Sequence, residues 1–136
     1  MIPSEKYDDS QNRVTLSSNT KIYHELLQSI MTKDKAYLDQ DLSLKSLAER
    51  LDISSGYLSQ IINQYEEKNF FDFVNGYRVN EVKQKITDPT YDHLSLLGIA
   101  YESGFKSKST FNLAFKKLAG MTPTAFKKQI KIEETS

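Results

Sequence analysis

Apolar residues recur at helical intervals along most of this 136-residue chain. The first stripe is Ile22, Tyr23, Leu26, Leu27, Ile30 and Met31, at i, i+3/i+4 spacing. It follows Ser18-Asn19-Thr20, residues suited to cap a helix start, and predicts a helix that fades near Tyr37–Asp41. Residues 1–20 are polar and aperiodic, carry Pro3, and read as a flexible lead-in or linker.

The next stripes are shorter. Ser43 precedes Leu44, Leu47, Ala48 and Leu51; after Asp52-Ile53, Ser54 precedes Leu58, Ile61 and Ile62. Two short capped helices joined by so few residues predict a helix-turn-helix. A longer helix is expected from about Phe70 to Ile86, with Phe70, Phe73, Val74, Tyr77, Val82 and Ile86 inward, stopped by Asp88-Pro89. Then the pattern returns. Leu94-Ser95-Leu96 and Ile99-Ala100 repeat Leu42-Ser43-Leu44 and Leu47-Ala48 at an offset of 52, with Gly104-Phe105 where Asp52-Ile53 stood. Ser107, Phe111, Ala114 and Phe115 then match Ser54, Leu58, Ile61 and Ile62 at an offset of 53. A last helix follows Gly120, with Thr122 as cap, Pro123 at its first position, and Phe126 and Ile130 inward. The pattern predicts an all-α chain: a first lobe over 21–69, a linker helix over 70–88, a second lobe over 89–132 and a tail over 133–136.

Composition removes several function classes. The chain has no cysteine and only His24 and His93, far apart, which leaves no zinc site and no thiolate chemistry, and no cofactor is expected. No run of about 18 apolar residues exists to span a membrane, and Met1 to Thr20 lacks the form of a secretory signal. No paired-acid, Ser/His/Asp or phosphate-loop spacing appears, so the chain does not read as an enzyme. Net charge is zero, but its distribution is uneven. Residues 1–66 carry seven basic and ten acidic side chains, whereas Ser103–Lys131 holds seven lysines and no acid.

On a helix-turn-helix such a run has a use. The second helix of each unit fits the major groove of double-stranded DNA, about 12 Å wide, where every base pair shows a distinct donor and acceptor pattern. In the first unit the outward residues include Gly56, Ser59, Gln60 and Asn63, and the two amides can pair bidentately with adenine. In the second they include Lys108, Ser109, Thr110 and Leu113. Phosphates are expected at the helix starts Ser54 and Ser107 and at Lys68, Lys116, Lys117 and Lys127. The linker helix, about 17 residues and so roughly 25 Å long, reads as a rigid spacer for two heads placed about 34 Å apart. The alternative is a helical protein–protein interaction module without DNA binding, using aromatics such as Tyr57, Tyr65, Phe70, Phe71 and Tyr101.

The stretch Ile99-Ala100-Tyr101-Glu102-Ser103-Gly104-Phe105, with Ser107, Ser109, Phe111, Phe115-Lys116-Lys117, Gly120 and Thr122-Pro123, closely resembles the signature of AraC-type transcription regulators. Leu44-Lys45-Ser46-Leu47-Ala48 through Tyr77-Arg78-Val79 resembles their first unit and linker helix. The resemblance spans about Tyr37 to Gln129. It implies about seven helices in two homeodomain-like three-helix lobes, promoter-proximal binding and contact with RNA polymerase. It also implies base-facing roles for Gly56, Ser59 and Gln60 and for Lys108, Ser109, Thr110 and Leu113. Four positions depart from the family pattern: Leu113 where arginine is frequent, Glu67 where glycine or asparagine commonly ends the first recognition helix, Val82 for alanine, and Phe126-Lys127 for tyrosine-arginine. Members commonly carry a sensing or dimerising domain upstream. Tyr91-Asp92-His93-Leu94-Ser95-Leu96-Leu97-Gly98 is similar to members whose upstream part is large and sometimes membrane-embedded. The chain is therefore expected to be part of a longer regulator, with this module in the cytoplasm or on the cytoplasmic side.

Overall fold

In the computed structural model, which describes residues 9–135 (side chains from 19 to 134), the stripes become seven α-helices. They are α1 (Asp9–Thr32), α2 (Leu44–Leu51), α3 (Ser55–Glu66), α4 (Phe70–Ile86), α5 (Leu96–Glu102), α6 (Lys108–Ala119) and α7 (Pro123–Thr135). Short 3-10 turns lie at Ala36–Leu38 and Pro89–Tyr91. Local chemistry sets the starts. The side chains of Ser43, Ser54, Asn69, Ser95, Ser107 and Thr122 each accept the backbone N–H three residues on, satisfying a donor the helix itself leaves unpaired.

The repeat is one of backbone hydrogen bonding. Asp52 (φ 59°) and Gly104 (φ +101°) both turn the chain through the left-handed region. Immediately after them, Ile53 N–H donates to Ala48 O and Phe105 N–H to Ala100 O, both at 3.0 Å. The helix ends repeat as well: Glu67 (φ 55°) closes α3, and Gly120 (φ 77°), 53 residues on, closes α6.

The first helix departs from expectation. It is already helical from Asp9, so the lead-in expected over residues 1–20 is helix over the part described. Residues 9–20 contain neither glycine nor proline, and a polar segment joined to a packed helix gains one hydrogen bond per residue added. Thr20, expected as a cap, is an interior helix residue, buried, with its Oγ1 3.2 Å from the Tyr65 hydroxyl. The helix ends at Thr32, short of Tyr37–Asp41, because Lys35 turns left-handed (φ 50°) into the 3-10 turn. Of its stripe, Leu27 and Met31 are fully buried, whereas Ile22 and Leu26 are 54% and 47% exposed. At the other end, α7 runs through the expected tail as far as Thr135.

Two hydrophobic cores form. The first joins Leu27, Met31, Leu47, Leu58 and Ile62 to Phe70, Phe73 and Val74 of α4. The second joins Val79 and Val82 of α4 to Ile99, Phe105, Phe111 and Phe115. Its phenylalanines run in a chain from Phe105 through Phe111 and Phe115 to Phe126, ring centroids 5.3–5.9 Å apart. Helix α4 thus gives its first half to one core and its second half to the other. At 3.6 residues per turn, Phe70, Phe73, Val74 and Tyr77 lie about 160° round from Val79, Val82 and Ile86. The helix expected as a rigid spacer is a structural member of both lobes.

Candidate nucleic-acid interface

In α3, Leu58, Ile61 and Ile62 are buried, which turns Gly56, Ser59, Gln60 and Asn63 outward. All four are exposed and, with Gln64, line one shallow concavity. In α6, Phe111, Ala114 and Phe115 are buried, and Lys108, Ser109, Thr110 and Leu113 are exposed on the other side. The expected base-facing residues therefore form two surfaces, one on each second helix. At the helix starts, Ser54 Oγ accepts from Tyr57 N–H at 3.1 Å and Ser107 Oγ from Thr110 N–H at 3.2 Å. These caps each take one N–H, and the N–H groups of the first two residues of each helix have no partner within the helix, which favours an anion there.

The expected phosphate-binding lysines divide. Lys68, just past the end of α3, and Lys116 are exposed, and Lys127 is half-buried. Lys117 Nζ lies 2.9 Å from Asp72 Oδ2 in the first turn of α4. Lys106 Nζ is 2.9 Å from Asp41 Oδ1. Two lysines of the acid-free run thus face carboxylates, Lys106 that of Asp41 in the first lobe and Lys117 that of Asp72 on α4. Both pairs are solvent-exposed and individually weak.

The lobes also meet at a buried polar hub on α4, which residue spacing does not reveal. Arg78, 9% exposed, donates from Nε to Tyr37 O (2.7 Å) and from Nη2 to Asp39 O (2.9 Å). Lys85, 7% exposed, donates to Glu102 O at the end of α5 (2.9 Å), where a cation also complements the helix dipole. Between them, Glu81 accepts from the Tyr37 hydroxyl (2.8 Å) and lies 3.4 Å from Lys85 Nζ. Burial works to raise the Glu81 carboxyl pKa, but the Tyr37 hydrogen bond and the charges of Lys85 and Lys35 together hold it below the ordinary value. Burial, then the bond to Glu81, pushes the Tyr37 phenol up. Gly104 completes the hub: a Cβ there would lie 2.0 Å from Tyr37 O. In sequence, Arg78, Glu81 and Lys85 look like one solvated stripe of a helix. Only the packing of both lobes over that stripe makes them structural: Tyr37 and Asp39 cover Arg78 and Glu81 from the first, and Glu102 takes Lys85 from the second.

Among the described residues no group of three or more His, Cys, Asp or Glu side chains could hold a metal ion, and no helix is long and apolar enough to cross a membrane. A family model described as a helix-turn-helix domain matches residues 47–129. The chain is 29% identical over 90 residues to the melibiose operon regulatory protein of Escherichia coli K12, covering 66% of this chain and 29% of that protein. It is also 29% identical over 91 residues to the uncharacterized HTH-type transcriptional regulator YtdP of Bacillus subtilis, covering 67% of this chain and 11% of that protein. The crystal structure of the C-terminal domain of the two-component response regulator YesN from Fusobacterium nucleatum superposes with a TM-score of 0.66 at 30% identity, covering 77% of this chain and 97% of that one. The chain thus spans less than a third of the length of these two curated relatives.

Proposed function

The chain belongs to the AraC-type family of helix-turn-helix transcription regulators, and from that premise we propose that both of its lobes engage one double-stranded DNA site. In this reading α3 and α6 each enter the major groove. The observation that carries it is the matched exposure of the two second helices, each with its polar or charged face opposite a packed core. Gly56, Ser59, Gln60 and Asn63 face bases in one half-site, and Lys108, Ser109, Thr110 and Leu113 in the other. Ser54, Ser107, Lys68, Lys116 and Lys127 meet phosphates, and Lys117 does so by leaving Asp72. The working units are the first lobe (21–69), the linker helix (70–88) and the second lobe (89–132), with the hub on α4 fixing how the two reading heads are offset.

The same reading makes this module the C-terminal, DNA-binding part of a longer regulator with a sensing or dimerising domain upstream. The C-terminal position of the similar YesN domain supports it. RNA polymerase is the expected protein partner at the promoter, the cytoplasm the expected place of action, and catalysis no part of the role.

The test is selection from a randomised duplex pool, followed by anisotropy titrations at two salt concentrations. One enriched motif and a steep loss of affinity with salt are expected. Gln60→Ala should relax preference at one or two base pairs, costing about 1–3 kcal/mol there. Lys116→Ala should weaken all sequences alike and flatten the salt slope. No enrichment even at low salt would refute DNA reading by this chain, and a changed motif in Lys116→Ala would refute the sorting of contacts.

A further inference from the structure

The two second helices occupy equivalent places, yet the centres of their outward faces differ in chemistry. At the offset of 53 that aligns the units, Gln60 of α3 corresponds to Leu113 of α6. Leu113 stands about 200° round the helix from the buried Phe111, opposite the core, and is 73% exposed. Part of its surroundings is apolar or already engaged. Thr110 Oγ1 accepts a hydrogen bond from the capping Ser107 Oγ at 3.0 Å, which turns the hydroxyl toward the helix start. Thr110, Leu113, Ala114 and Leu118 share one shallow depression with Asn75 of α4. The cation on that side, Lys117, is paired with Asp72 at 2.9 Å. In the major groove the one apolar group that a base pair displays is the thymine C5-methyl; every other readable atom there is a donor or acceptor.

We propose that Leu113, backed by Thr110, is a methyl-reading residue, so that α6 selects thymine in its half-site by apolar contact while α3 reads donors and acceptors with its amides. This inference rests on the DNA-binding reading above. Selectivity follows from two effects of the same sign. A thymine methyl against Leu113 removes apolar surface from water on both partners. A G·C pair in its place would lose water from its polar edge atoms against a Leu113 side chain that can neither donate nor accept a hydrogen bond.

The test uses the full chain and the duplex site obtained by selection. Each thymine is replaced in turn by 2′-deoxyuridine, which removes only the methyl group and keeps the base pair. Binding should weaken about fourfold, the factor that burial of one methyl group supports, at one or two positions outside the base pairs relaxed by Gln60→Ala. Leu113→Ala, a change at an exposed position, should keep the thermal midpoint and salt slope while binding thymine and deoxyuridine sites equally. Equal binding of both sites by the unaltered chain at every position would overturn the inference, as would a Leu113→Ala variant that still separates them. Those results leave an enriched motif intact, whereas failure to enrich any motif removes the DNA-binding reading itself and this inference with it.

Discussion

Replacing Gly104 with alanine probes how tightly the two lobes are locked. A Cβ at this position would fall 2.0 Å from Tyr37 O and 2.8 Å from Arg78 Nε, with φ at +101°. Carbon and oxygen approach to about 3.3 Å even in close contacts, so the loop or the 3-10 turn must retreat by about 1 Å. That retreat breaks the bond from Arg78 to Tyr37 O, a buried charged hydrogen bond whose loss costs about 1.5–3 kcal/mol. Alanine in the left-handed region adds about 1–2 kcal/mol. The sum is about 2.5–5 kcal/mol. Gly76→Ala is the control: Gly76 lies inside α4 with nothing within 4 Å of a built Cβ, so helix propensity should raise stability by about 1 kcal/mol. Urea unfolding followed by circular dichroism reads both. With a slope of about 2 kcal/mol/M, Gly104→Ala should lower the midpoint by about 1–2.5 M and Gly76→Ala should raise it by about 0.5 M. A fall of less than about 0.5 M in Gly104→Ala would show that the lobes separate with little cost and that the hub does not fix their arrangement.

Two further substitutions address the turn and the hub charge. Glu67 closes α3 in the left-handed conformation that Gly120 supplies for α6, so Glu67→Gly should raise stability by about 0.5–1 kcal/mol; a thermal midpoint that fails to rise would contradict the strain assigned there. Glu81 has a folded-state pKa below its unfolded value, near 4.3, so its contribution is complete above that pH and is lost as pH falls through the folded value. Glu81→Gln should therefore lower stability at neutral pH and flatten the acid limb of a urea-midpoint profile below about pH 5. An acid limb of unchanged slope would place the titration elsewhere.

Much of the interface could be read before any fold was known because its determinants are local. Each cap spans three residues, as in Ser54 to Tyr57 and Ser107 to Thr110, and each turn is closed by one bond five residues long. Spacing of buried positions on α3 and α6 then dictates that Gln60 and Leu113 face outward. The first helix was less legible. Residues 9–20 lack an apolar stripe, and their helicity comes from continuity with Leu27 and Met31, which pack into the core. Thr20 becomes an interior position because Tyr65, 45 residues away, lies against it.

By itself, then, the sequence determined two copies of a capped helix-turn-helix, the residues each offers outward and the chemical inequality between Gln60 and Leu113. All of these follow from hydrogen bonds and helical periodicity acting within about ten residues. Only tertiary structure decided how the two copies are joined. Arg78 reaches the carbonyls of Tyr37 and Asp39 across 41 and 39 residues, and Lys85 reaches Glu102 across 17. A polar residue on a helix reads the same whether water or another lobe covers it. The distinction arises only when both lobes pack on α4, the first bringing Tyr37 and Asp39 to Arg78 and the second closing Gly104 onto Tyr37.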